Sequence, residues 1–585
     1  MSAASPNEVD NPIINSPFVE PRYHWEIEQG KPPVKAEGRR PASYFYRVPE
    51  AATRGRKPKA QLSLKGDRRL ETDLDLGQQE ELHRVTWIRL HLAQWRAAGY
   101  SGVSGVTREL LDLWRAGTDR RRQRLFFAQI EAAETIIFLV EGAETFKKGM
   151  PPIPLDKPGA QAKAAGFSAF QRLACKMATG TGKTTVMGML AAWSILNRVA
   201  APTDDRFSDT VLAVCPNVTI RERLKELDPA LGDLSIYHTR QLVPPQRMEE
   251  LRRGEVMIAN WHRLAKHESN AVNGDSARVV KTGEAVQVVK NAGKSNETTE
   301  TRYFESDKAW MKRIRQELGS GRGRSPRWLI FNDEAHHAYR RGDAPDTLSL
   351  DPTEDEDRGT LAKKNAKEAT IWIEGLDRIN RLARGGRLLG KGIRLCVDLS
   401  ATPFYIQGSG NEVGKPLPWI VSDFGLLDAI ESGLVKVPQL PTRDITGTEE
   451  ASYFNVWRWV QYRAEQDGHD TKLTPALVMT YATAPINQLA QDWHKHFLDW
   501  QERAKGELHP VPPVFIVVCR DTRVAGAVYD WLADGRGVAE APPWFRNAPG
   551  QEMTVRIDSR VAEDMEAGGT KDETRRLRFR FSSIP

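Results

Sequence analysis

The stretch ATGTGKT at 178–184 sets two glycines, a lysine and a hydroxyl at a spacing suited to a polyphosphate. Gly180 and Gly182 let successive backbone N–H groups turn toward an anion, Lys183 can reach the terminal phosphates, and the Thr184 hydroxyl can ligate Mg²⁺. The backbones of Thr179, Thr181 and Thr185 complete the cradle. Met177 stands where the commonest form of this loop has its first glycine. A second candidate is NDEAHH at 332–337, in which chemistry needs two different carboxylates. Asp333 is suited to hold a metal ion through water, and Glu334 to orient and deprotonate an attacking water. An acidic pair opening a helix beside core histidines would read the same way. A phosphate loop upstream in the same sheet makes hydrolysis the stronger reading. The third is LSATP at 399–403, where Ser400 and Thr402 offer short hydroxyls just after an apolar run and Pro403 stops further strand pairing.

These residues need a scaffold that brings them to one edge. Between 170 and 405, short β-rich runs alternate with helical stretches: RLACKM before TTVMGMLAAWSILNRV, VLAVCP before TIRERLKEL, then VMIAN, RWLIF and RLCVDLS. That alternation predicts an α/β domain with a parallel sheet covered on both faces, and ligands at the carboxyl ends of its strands. Residues 266–325 and 340–390 interrupt it and read as surface insertions, the second with one helix over 366–382. Residues 1–75 carry Pro, Gly and charge without a sustained period and read as an extended arm. Residues 76–168 read as a helical region and linker, 169–440 as the ATP-binding domain, and 441–585 as part of a second α/β domain. In that last part, an alternation begins near PALVM at 475–479 and continues through a helix over 486–500, a strand at 514–519, a helix over 524–532 and a strand at 554–557.

Composition narrows the class without deciding it. The chain has 585 residues, 40% of them hydrophobic, and the sequence shows neither a membrane-spanning run nor a signal peptide, so a cytoplasmic location is expected. The formal charge of +7 comes from 84 basic and 77 acidic residues, a weak pointer to a polyanionic partner. Local clusters at 54–59, 120–124 and 322–327 are more suggestive, although a solvated face explains each of them as well. The four cysteines lie in apolar runs with no C-x-x-C pair, which argues against a zinc ribbon or a disulfide framework.

In this order, ATGTGKT, DEAHH and LSATP resemble motifs I, II and III of superfamily two helicases and translocases. QIEAAETIIFL at 129–139, the MATGTGKT form of the loop, and SDFGLLDAIESGLVKVPQLP at 422–441 look closer still to the restriction subunit of type III restriction enzymes. The resemblance implies two RecA-like domains, ATP with Mg²⁺ as cofactor, and sequence-independent movement along DNA. It implies that Gln129 reads the adenine edge, and that His336, Ser400 and Thr402 couple the nucleotide state to the DNA surface. It also implies that Pro216, Asn217, Thr219, Asn260 and His262 contact the DNA backbone. No segment matches the family's motifs V and VI. Its C-terminal nuclease has only a loose echo in Asp470-Thr471-Lys472, which a polar turn explains. The second RecA-like domain is therefore expected to be incomplete, hydrolysis impaired, and the partner a modification methyltransferase subunit or a downstream polypeptide. A nucleotide-gated DNA-binding or docking protein without motor activity is the alternative. A metabolic P-loop kinase is disfavoured, having no need of DEAH followed by SATP.

Overall fold

The computed structural model describes residues 11–27, 31–46, 78–117, 121–164, 166–267, 284–290, 298–318, 327–341, 355–384, 392–406, 408–436, 456–469, 473–506, 512–537 and 539–557. The basic cluster at 54–59, Arg322 and Arg324, Asp470-Thr471-Lys472 and everything after Ile557 lie outside them. The described residues form two compact units, one reaching to Lys436 and the other starting at Val456.

The first unit begins with two antiparallel pairs, β1 (Tyr23–Glu26) with β2 (Val34–Glu37) and β3 (Ser43–Tyr46) with β4 (Gln78–Glu81). Its main sheet holds β5 (Arg172–Met177), β6 (Thr210–Cys215), β7 (Glu255–Asn260), β10 (Arg327–Asp333), β11 (Gly392–Ser400) and β12 (Ile420–Phe424). A hairpin of β8 (Glu284–Lys290) and β9 (Thr298–Phe304) stands apart from it. The main sheet runs β12-β5-β11-β10-β6-β7, and every neighbouring pair is parallel. This is a RecA-like α/β architecture. Five of its strands are the apolar runs read from the sequence. The sixth, β12, runs from Ile420 into the start of SDFGLLDAI and pairs with β5 at the edge.

Both faces of the sheet are apolar, as a parallel sheet covered on two sides requires. Along β10, Leu329 and Phe331 enter one cluster while Trp328 and Ile330 enter the other. The first cluster is closed by the helix Lys183–Ala200 and by the helices His83–Ala97, Gly105–Arg115 and Phe127–Glu141. The stretch read as a separate helical region thus shares a core with the sheet. The second cluster is closed by Trp310, Met311 and Ile314 of the helix Asp307–Leu318, and by Trp372, Leu376 and Ile379 of the helix Asp355–Arg384. Both helices lie in stretches read as surface insertions, so the insertions supply much of the cover over this cluster, while the β5 and β12 end of the same face packs against Ala42, Val85, Leu417 and Trp419.

The described part of the N-terminal arm is folded onto the β12 edge. Arg39 grips the buried Glu131 through two hydrogen bonds, one of them Nη2 to Oε2 at 2.7 Å. Lys176 Nζ donates to the Ser43 carbonyl at 2.8 Å and lies 2.9 Å from Asp423. Charge pairing rather than apolar periodicity holds this segment, which is why a search for periods reads it as an arm.

In the second unit, the helices Val456–Gln466, Pro475–Arg503 and Thr522–Asp534 share a core that includes Val460, Val478, Ile486, Val528 and Trp531. PALVM, expected to open a strand alternation, is instead the first turn of a 29-residue helix. The Thr474 hydroxyl caps that helix by accepting from Leu477 N at 3.3 Å, and Pro475 sits in its first turn, where a missing N–H costs nothing. The strands expected at 514–519 and 554–557 do not form: among the described residues of this unit no strand ladder is present. Val514, Ile516 and Val518 face solvent, while Phe515, Val517 and Cys519 pack inward.

Candidate active site

Because all six strands of the main sheet point the same way, the loops after β5, β6, β7, β10 and β11 emerge at one edge. The phosphate loop leaves β5 at Met177 and enters the helix Lys183–Ala200 through Gly180 (φ +88°) and Gly182 (φ +89°). Both angles lie in the left-handed region that an L side chain resists. Gly182 is needed for a second reason: a Cβ there would stand 2.1 Å from Gln129 Nε2. Gln129 is buried, and its Oε1 accepts from Phe126 N at 3.0 Å, so its amide is held against the loop. Thr181 is buried with its hydroxyl turned inward onto the Ala178 carbonyl at 2.7 Å, which leaves only its backbone for a ligand. Thr179 is exposed, Thr184 half-buried and Thr185 buried.

Lys183 opens the helix, and its Nζ lies 3.0 Å from Glu334 Oε1. Phosphate loop and acidic motif are therefore in direct contact. Glu334 follows β10 in a left-handed conformation (φ 51°, ψ 51°), which turns the chain sharply after Asp333. Asp333 is 1% exposed, and neither carboxylate oxygen has a hydrogen-bond partner. Burial and the neighbouring Glu334 push its carboxyl up to about 6, against the opposing charges of Lys183 and Arg223. A buried carboxylate with two idle oxygens is costly unless a cation meets it, so the surroundings of Asp333 fit a residue that holds a metal ion.

His336 Nδ1 lies 2.9 Å from Ser400 Oγ, and the same oxygen accepts from Thr402 N at 3.1 Å. The three residues read as coupling groups are thus one hydrogen-bonded chain between the ends of β10 and β11. Pro216, Asn217 and Thr219 follow β6, where Asn217 caps the helix Val218–Leu224 by accepting from Ile220 N at 2.9 Å. His262 lies in the turn Trp261–Leu264 after β7, and Trp261 Nε1 donates to the Pro216 carbonyl at 3.1 Å, tying the two loops together. Asn260 is fully buried, with Cys215 Sγ 3.1 Å from its Oδ1, so its side chain ties the ends of β6 and β7 together.

Sequence reasoning missed a buried network beneath this edge. Arg172 of β5 donates to Asp398 of β11 (Nε to Oδ2, 3.0 Å), to Asp156 (3.1 Å) and to the carbonyl of Ala338, just past the acidic motif (2.7 Å). Asn332, next to Asp333, donates to Asp398 Oδ1 at 2.8 Å and accepts from Trp372 Nε1 at 2.9 Å. The three motif-bearing strands are pinned together one layer below the site, and removing one partner from such a network costs ~3–5 kcal/mol. A charge inside each of two runs buried on both faces, RLACKM and RLCVDLS, was the available signal: it must be paired. A cavity of about 250 Å³ lies beside the Gln129 helix, lined by residues that include Phe18, Arg96, Trp114, Arg124 and Phe127. Arg124 stacks over Phe18 there, 4.8 Å from the ring centroid. Among the described residues no helix is long and apolar enough to cross a membrane.

No curated protein and no solved structure matches the chain. One family model does, over a stretch that takes in Gln129, the phosphate loop and DEAHH and stops before Ser400. Residues 123–350 match the family model of the type III restriction enzyme, res subunit, and over this segment the chain is similar to that family.

Proposed function

We propose that the chain binds Mg·ATP at this edge and uses its hydrolysis to drive movement along DNA in a restriction system. The carrying observation is the 3.0 Å contact between Lys183 and Glu334, which assembles the phosphate loop and the acidic motif into one site. In this reading Gln129 meets the adenine edge, the loop backbone and Lys183 hold the phosphates, and Thr184 and Asp333 hold Mg²⁺. The metal supplies charge neutralisation on the phosphates. Glu334 orients the attacking water and takes its proton. Without nucleotide, Lys183 neutralises Glu334. A triphosphate offers Lys183 a denser negative charge, so binding frees the base at the moment it is needed. Ser400 and His336 pass the state of Glu334 to β11. Pro216, Asn217, Thr219 and His262 lie on the same edge and suit contacts to a sugar-phosphate backbone, which a sequence-independent motor requires.

The test is DNA-stimulated ATP hydrolysis and Mg·ATP affinity for the chain, for Lys183→Ala and for Glu334→Gln. We expect Lys183→Ala to lose nucleotide affinity with its melting unchanged, and Glu334→Gln to bind but not turn over. Unchanged affinity in Lys183→Ala would remove the phosphate loop from the function. A second reading, nucleotide-gated DNA binding or docking without motor turnover, is favoured by the solvent-facing row Val514, Ile516 and Val518 in the second unit. Nucleotide binding with no DNA-stimulated hydrolysis would select it, and a methyltransferase subunit or a further polypeptide would be the partner to seek.

A further inference from the structure

Arg223 stands on the helix Val218–Leu224, one strand away from the acidic motif in the order β11-β10-β6. Its Nη2 lies 3.9 Å from Asp333 Oδ2. That distance is too long for a hydrogen bond, yet it places a full positive charge over a buried carboxylate whose oxygens have no hydrogen-bond partner. The neighbouring cations on this stretch behave differently. Arg221 contacts Glu222 at 3.2 Å, and Lys225 pairs with the same carboxylate. Leu224 is fully buried and anchors the base of the helix, while the Arg223 side chain is 61% exposed. A buried root with an exposed guanidinium is a suitable build for a group that changes partner.

We propose that Arg223 is a further phosphate-binding residue of this site, contacting the terminal phosphate of a bound nucleoside triphosphate; this rests on the nucleotide reading given above. Lys183 and Arg223 then bracket the acidic pair, one contacting Glu334 and the other facing Asp333. A divalent cation held by Asp333 would repel the guanidinium, and a terminal phosphate would offer it an anion of matching geometry, since a planar guanidinium meets phosphate oxygens through two parallel N–H bonds. The motor domain thereby carries its own arginine toward the terminal phosphate. A diphosphate lacks that group, so Arg223 discriminates between the two nucleotides.

The experiment titrates the full chain with Mg·AMP-PNP and with Mg·ADP, in the wild type, Arg223→Ala, Arg223→Lys and Lys183→Ala, with duplex DNA affinity measured in parallel. Arg223→Ala should weaken AMP-PNP roughly tenfold or more, as loss of a charge-assisted contact implies, and leave ADP within about twofold. Arg223→Lys should restore part of the difference, because it keeps the charge without the fork. Equal changes for both nucleotides, no change for either, or a loss confined to DNA affinity would overturn the assignment. Undiminished binding of both nucleotides by Lys183→Ala would instead overturn the nucleotide site on which it rests.

Discussion

Replacing Gly182 by alanine tests the site at its tightest point, and replacing Gly180 supplies the control. Both glycines have φ near +90°, so each alanine incurs a backbone cost of ~1–2 kcal/mol. Their surroundings differ. At Gly180 the nearest atom to a new Cβ is Val435 Cγ2 at 3.7 Å, an ordinary contact. At Gly182 it is Gln129 Nε2 at 2.1 Å, which cannot stay. Gln129 must then swing away from a buried position and give up the bond from Phe126 N, a further loss of ~1–3 kcal/mol. Gly182→Ala should therefore destabilise by ~2–5 kcal/mol in denaturant unfolding and Gly180→Ala by ~1–2. In Gln129→Ala/Gly182→Ala the clash is gone, so the second substitution should cost there only what Gly180→Ala costs in the wild type. Nucleotide titration gives an independent readout: Gly182→Ala should lose preference for ATP over GTP, because the amide that reads the base is displaced, whereas Gly180→Ala should keep that preference. Equal destabilisation by the two alanines with base preference intact in both would refute the packing of Gln129 on the loop.

Three further outcomes are expected. Ser400→Ala, which breaks the 2.9 Å contact with His336, should reduce DNA stimulation of hydrolysis several-fold more than it reduces nucleotide affinity; parallel losses in rate assays and titrations would place Ser400 in binding instead. DNA affinity should fall steeply with salt and vary little among unrelated duplexes, and a flat salt response in anisotropy titrations would contradict backbone contacts. Glu368, on the helix over the second face and 3.6 Å from His337, is pushed up to about 7 by burial, with Lys364 opposing. Its folded value lies above the unfolded one, so the stability it contributes is complete below about pH 4.5 and is lost as pH rises through about 7. His337, held down at about 4 by burial and by His336, stays neutral across that window. Glu368→Gln should match the wild type near pH 5 and exceed it by ~1–2 kcal/mol at pH 8.5 in denaturant unfolding, allowing for solvent screening; a constant difference across that range would show that Glu368 does not titrate there.

The phosphate loop, the acidic motif and the strands that carry them were legible because each is local. A run such as RWLIF before DEAHH joins an apolar strand to its exit within a few residues, and no distant contact is needed to recognise it. The same locality explains the errors. PALVM is apolar enough for a strand, yet Thr474 and Pro475 start a helix there, a capping signal stronger than the run itself. The stretches at 266–325 and 340–390 carry their core residues at helical spacing within long polar sequence, so their place against the sheet could not be read from composition.

What the sequence determined by itself is the chemistry on offer: two glycines free to adopt positive φ, a lysine and a threonine after them, and two carboxylates at a strand end. Tertiary structure decided which of these meet. It placed Gln129 against Gly182, set Glu334 on Lys183, left Asp333 buried without a hydrogen-bond partner under Arg223, and withdrew Asn260 into the core. It also joined Arg172, Asn332 and Asp398, residues up to 226 positions apart, into one buried network. Spacing along a chain reports what a single turn or strand can present, whereas distances across a parallel sheet depend on strand order, and strand order is fixed only when both apolar faces find their covering helices.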